Sequence, residues 1–137
     1  RLLPCSREAV FAAFRDPALL ARWWGPAGHT NEFQEFDFRP GGAWRFTMRA
    51  PDGAAYAMGH RFEAIEAPAR IVVRHLQPGH DFTLEIVLAE RPPGTAVTWR
   101  MRFDDPAETA RLRDFLQQAN AENLARLAAR LDAGRSL

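Results

Sequence analysis

The chain has 137 residues, 47% apolar and 26% charged, enough to bury the core of one globular domain spanning 1–137. No apolar run approaches the roughly 18 residues of a membrane span and no leader-like segment opens the chain, so a soluble, cytoplasmic protein is expected. Eighteen arginines without a lysine, set against 17 acids, leave a net charge of +1 with the signs interspersed; that excludes the clustered basic footprint of nucleic-acid binding and suggests a GC-rich bacterial genome.

The numbering begins at Arg1 within a strand-like segment, RLLPC, and a few preceding residues are expected to be missing. Cys5 is the single cysteine, which excludes an intramolecular disulfide and a thiolate zinc site. Residues 7–15 place Val10, Phe11 and Phe14 at helical spacing behind a Ser6 N-cap. Asp16 and Pro17 stop that helix and start a second one over 17–24, which ends at Gly25-Pro26. From Phe33 the period changes to two. Strands are predicted over 33–39, 43–49, 55–65, 70–76, 81–90 and 96–103, separated by PGG, PDG, EAPA, QPGH and RPPG. With the opening segment this makes about seven strands in an antiparallel meander. A long final helix starts at an Asp105 cap with Pro106 and Glu108 in its first turn, and is expected to end near Asp132, before Gly134. One of its faces carries Leu112, Phe115, Leu116, Ala119, Asn123, Leu127 and Leu131.

The turns propose a register. A three-residue loop at 51–53 sets Met48 against Tyr56, Phe46 against Met58 and Trp44 against His60; a four-residue loop at 66–69 sets His60 against His75, Phe62 against Val73 and Ala64 against Ile71. Extended across the later turns, three inner rows result: Trp44, His60, His75, Phe82, Phe103; Phe46, Met58, Val73, Leu84, Met101; and Met48, Tyr56, Ile71, Ile86, Trp99. The outer face is charged, with Arg45, Arg61, Arg74, Glu85 and Arg100 among its members. A sheet with one apolar face needs a cover, and the final helix is the only large element available. Aromatic rows with a few polar tips serve equally as the wall of an apolar ligand cavity and as a filled core.

The runs DPALLARWWGPAGHTNEF, FDFRPGGAWRFTMRAPDG and GHRFEAIEAPARIV resemble the activator-of-heat-shock-protein-ATPase-homologue group of the START and pollen-allergen-like helix-grip superfamily (SRPBCC), over nearly the whole chain. The resemblance implies an α+β helix-grip fold: a curved antiparallel sheet of about six or seven strands wrapped around a long C-terminal helix, with two short helices near the N-terminus. It implies no shared catalytic set. Trp23 and Trp24 are then expected to plug the open end of the sheet, one indole pointing inward and the other along the surface.

The leading reading is a domain that binds a hydrophobic small molecule, aromatic or lipid-like, between sheet and helix. Its expected ligand-binding residues are the Trp44, Phe46 and Met48 positions, Tyr56, Met58 and His60, Val73 and His75, Phe82 and Leu84, Trp99, Met101 and Phe103, with Phe115, Ala119 and Asn123 from the helix. His60 and His75 are the cross-strand polar tips, and Asn123 either bonds backbone or faces a ligand. An enzyme of the cyclase, aromatase or hydratase kind would use His60 or His75 as acid or base and Tyr56 as donor. A regulator of a chaperone ATPase would need a partner surface that the mixed-charge exterior does not advertise. No third ligand joins the two histidines, so no metal is predicted, and no cofactor; His29 and His80 read as exposed loop residues unless the His29 loop folds over the entrance. Oligomeric state stays open, a homodimer among the options. Nucleotide-loop, G-x-S-x-G and H-E-x-x-H patterns are absent, and Gly41-Gly42 reads as a hairpin.

Overall fold

The structure, a computed structural model, describes residues 1–76 and 81–135, with side chains to 132. The elements run β1 Leu2–Leu3, α1 Arg7–Arg15, α2 Pro17–Trp23, β2 Thr30–Phe36, β3 Ala43–Arg49, β4 Ala55–Glu66, β5 Arg70–His75, β6 Phe82–Arg91, β7 Gly94–Phe103 and α3 Pro106–Arg135. All seven strands form one antiparallel sheet in the order β1-β7-β6-β5-β4-β3-β2. The helices lie against it in the α+β helix-grip arrangement, with α1 on β6 and β7, α2 on β2, and α3 along β7.

The capping chemistry is local. Ser6 accepts from the Ala9 amide and Asp16 from the Ala18 amide, so each short helix has one of its orphan N–H groups satisfied by a side chain. Trp24 is the C-cap of α2, which therefore ends one residue before the expected position. The helix α3 instead runs on through Gly134 to Arg135, since a single glycine weakens a helix without stopping it. The expected turn at 77–80, with His80, lies outside the described residues.

Register follows the turns where these are tight. Around Gly53, at φ +91°, the Ala50 amide bonds the Ala54 carbonyl, and Met48↔Tyr56, Phe46↔Met58 and Trp44↔His60 are paired as expected. Three departures occur. First, β2 starts at Thr30 and ends at Phe36, three residues earlier than the expected 33–39 at each end, because 37–42 fold into a tight turn: the Asp37 carbonyl accepts from Arg39 and the Arg39 carbonyl from Gly42. A Cβ on Gly42 would lie 2.0 Å from the Asp37 oxygen, which only glycine avoids. Second, Ala64 faces Val72 and Ile65 faces Ile71, so the loop before β5 is one residue shorter than expected; a bulge between Phe62 and Ala64 absorbs the difference, leaving Phe62↔Val73 and His60↔His75 unchanged. Third, β7 begins at Gly94, paired with Arg91, because the RPPG turn is tighter than expected.

Of the three expected rows only the first, Trp44–His60–His75–Phe82–Phe103, crosses the sheet intact. The other two split at β4, because the β3–β4 and β4–β5 turns lie at opposite ends of that long strand. Met58 and Tyr56 face β3 only, while Phe62 and Ile65 continue into Val73–Leu84–Met101 and Ile71–Ile86–Trp99. On the outer face Arg70 bonds Glu85 at 2.7 Å and Glu66 at 2.5 Å, and Arg74 pairs with Asp104.

A candidate ligand cavity between sheet and helix

The interior divides at Trp24. On one side Phe14, Leu20, Phe62, Ile71 and Ile86 close around a void of only about 10 Å³. On the other lies a cavity of about 460 Å³ between the sheet and the first half of α3, within the size range of small-molecule sites. Trp24 and Val73 line both spaces, so they form the partition.

The sheet wall of the cavity is built by the intact row and its neighbours. His60 stacks on Trp44 and Phe46, with centroids 4.7 and 5.3 Å away, and meets the His75 ring edge-on at 4.9 Å. His75 stacks on Phe82 at 4.5 Å, and Phe82 contacts Phe103 at 4.9 Å. Burial holds the His60 pKa down to about 3, with the neighbouring His75 adding to the effect and hydrogen bonding with the Trp44 backbone only partly opposing it. His60 is therefore a neutral imidazole at physiological pH.

Met48, Tyr56, Met58, Val73, Leu84, Trp99 and Met101 also line the cavity, and Phe115, Ala119 and Asn123 close it from α3. Trp44 and Phe46, expected in the same lining, lie outside it. Each is only 1% exposed, and both contact the Phe33 ring of the neighbouring strand β2, while Trp24 packs edge-on against Trp44. Phe115 and Tyr56 are 67% and 49% exposed, which puts them at the mouth. Three buried polar atoms of lining residues have no protein partner among the described residues: Trp99 Nε1, His60 Nδ1 and Asn123 Oδ1.

Sequence reasoning missed the rim contributed by Trp24, Gly25 and Pro26, and also Leu116 and Asn120 on the helix, and left His29 over the entrance only as an alternative. Both tryptophans of the pair are buried, contrary to the expectation that one would lie along the surface. Trp23 donates to the Ala13 carbonyl at 3.0 Å and packs edge-on against Phe14. Trp24 contacts Trp44 and Trp99, which bridges the core to the cavity. Gly25 has φ +94°, and a Cβ there would approach the Met48 methyl to 2.9 Å; the chain can turn over the cavity only where there is no side chain.

Arg126 fixes that turn from α3. Its Nη1 donates to the Trp24, Gly25 and Pro26 carbonyls at 2.8–3.1 Å, and its Nη2 donates to those of Arg22 and His29. Glu122 accepts from the Ala27 amide, and Asn31 donates to the Ala21 and Trp24 carbonyls. The signal available beforehand was the glycine-proline break itself: a loop that leaves α2 with its carbonyls turned outward needs donors. Nothing in local spacing identifies Arg126 as the donor.

Among the described residues no cluster of three or more His, Cys, Asp or Glu side chains could hold a metal, and no helix is long and apolar enough to cross a membrane.

Comparison with known proteins points to one group. The family model for Activator of Hsp90 ATPase homolog 1-like protein matches residues 4–132. A crystal structure of a Nitrosomonas europaea protein superposes with a TM-score of 0.90 at 19% identity, covering 100% of this chain and 94% of that one. A Chromobacterium violaceum protein gives 0.80 at 28% identity, covering 94% and 91%. The AHSA1 protein of Silicibacter pomeroyi gives 0.78 at 22% identity, covering 98% and 95%. No curated protein matches.

Proposed function

The chain belongs to the Activator of Hsp90 ATPase homolog 1-like family, whose helix-grip fold supports a ligand-binding domain in general, and on that premise we propose that it binds a hydrophobic small molecule, aromatic or lipid-like, in the cavity between sheet and α3. The observation that carries this reading is the contrast in filling: about 460 Å³ on one side of Trp24 against about 10 Å³ on the other. Protein interiors pack to crystal-like density, and a large hollow forgoes dispersion contacts that a filled core would have. The unpartnered Trp99 Nε1, Asn123 Oδ1 and His60 Nδ1 supply a few orienting groups in an apolar wall. The exposed Phe115 and Tyr56 leave a way in.

His60 favours binding over acid–base chemistry. An imidazole with a pKa of about 3 is not an imidazolium at neutral pH and is a weak base; with one N–H and one bare nitrogen it serves as a hydrogen-bonding tip. Native mass spectrometry against a library of uncharged aromatic and lipid-like compounds tests the reading. A one-to-one complex is expected with the wild-type chain, and Ala119→Trp, which places an indole in the cavity, is expected to remove it. Absence of any complex, or equal binding by the filled variant, would overturn the proposal.

A further inference from the structure

The composition of the cavity wall narrows the class of occupant. Asp, Glu and Arg make up 26% of the chain, yet among the described residues none of them lines the cavity. Among the described residues its ionisable side chains are Tyr56 and three histidines: His29 at the rim, with Nδ1 3.3 Å from the Ala27 carbonyl, and the cross-strand pair His60 and His75. Arg126, the cation that secures the rim, directs both of its terminal nitrogens at five backbone carbonyls. The cavity's buried polar atoms without a protein partner among the described residues, an indole N–H, an amide oxygen and an imidazole nitrogen, are dipoles suited to a hydroxyl, carbonyl or amide edge. All three methionines of the chain, Met48, Met58 and Met101, line the same space, which gives it soft walls that adapt to a flat ring system.

Resting on the reading that the cavity binds a ligand, we infer that the ligand is an uncharged, ring-bearing molecule with a polar edge, and that acids and ammonium compounds of the same shape are rejected. Burying an ion without a counter-ion forfeits its hydration with nothing in return. Aromatic faces attract cations, but among the described residues no carboxylate stands in the wall to neutralise one.

Three fluorescent probes of one shape decide the matter at about pH 8, where an ordinary imidazole is neutral: N-phenyl-1-naphthylamine, its sulfonate 8-anilinonaphthalene-1-sulfonate, and a trimethylammonium-substituted counterpart. The neutral probe is expected to bind, and each charged probe to bind at least about 30-fold more weakly, the scale of an unpaired buried charge. A charged probe binding within that margin would overturn the charge inference while leaving the cavity reading in place. Binding by none of the three would sink both. Met101→Lys, or Met58→Lys should the first not fold, supplies the missing counter-ion and is expected to shift preference toward the sulfonate; an unshifted preference in the folded variant counts against the inference.

Discussion

The two sides of Trp24 are built from the same strands by the same alternation, yet one is solid and the other hollow. On the solid side Phe14, Leu20 and Trp23 from the short helices press onto Phe62, Ile71 and Ile86, and the remaining void is too small for a ligand. On the hollow side the cover is the first half of α3 with the 24–29 loop at its rim. The helix is fully buried at Leu127, whereas Phe115, about three turns nearer its start, is mostly exposed. The lesson is that aromatic content does not distinguish core from cavity. What distinguishes them is whether a second element follows the sheet closely enough to fill the space its curvature leaves.

The largest expected effect breaks the solid side. Trp44→Ala should cost about 3–5 kcal/mol in denaturant unfolding, because the fully buried indole leaves a void that its aromatic neighbours close only partly. Met101→Ala, in a wall that is already hollow, should cost only about 1 kcal/mol. Similar losses from the two would abolish the distinction between filled and open halves.

Next comes the seam between the halves. Arg126→Met keeps the aliphatic stem and removes five hydrogen bonds to carbonyls, for an expected loss of about 2–3 kcal/mol. Amide exchange should accelerate at 24–29 before it does elsewhere. Unchanged protection in that loop would mean that α3 does not hold the rim.

His60 gives the hollow side a pH signature. Its folded-state pKa, about 3, lies below the ordinary 6.5, so between those values the unfolded chain binds a proton that the folded chain refuses. The associated stability is complete above pH 6.5 and is lost as pH falls toward 3, at about 1.4 kcal/mol per pH step. His60→Phe, which can stack in the same place, should remove that slope, so that the mutant profile is flatter than the wild-type one in that window. Parallel profiles would show that His60 titrates normally.

The smallest effect on stability belongs to the mouth. Phe115→Ser should change unfolding free energy by less than about 0.5 kcal/mol, since the ring is 67% exposed. It should nevertheless weaken hydrophobic-probe binding several-fold in a fluorescence titration. A stability loss like that of Trp44→Ala would place Phe115 in the core.

Much of this architecture was legible beforehand. Ser6, Asp16 and Pro17 announce the short helices because capping is a matter of neighbouring residues. The Pro51-Asp52-Gly53 turn sets the β3–β4 register for the same reason, and Trp44, His60, His75, Phe82 and Phe103 duly form one row. The rows through Phe46 and Met48 failed at β4, since a bulge and two turns at opposite ends of one strand change which residues continue across the sheet. Trp44 and Phe46 were assigned to the cavity because alternation reports the face a side chain takes, and face alone does not reveal that β2 and Trp24 cover them.

By itself, then, the order of residues determined the strands, the short helices, their caps and one complete row of inward side chains, because each depends on contacts within a turn or across a hairpin. Tertiary structure alone decided that the inner face is half solid and half hollow, that Trp24 divides it, and that Arg126 closes the rim onto a loop about a hundred positions away. Those outcomes depend on how far α3 stands from the sheet, a distance set by packing between segments remote in the chain, on which neither periodicity nor turn chemistry carries information.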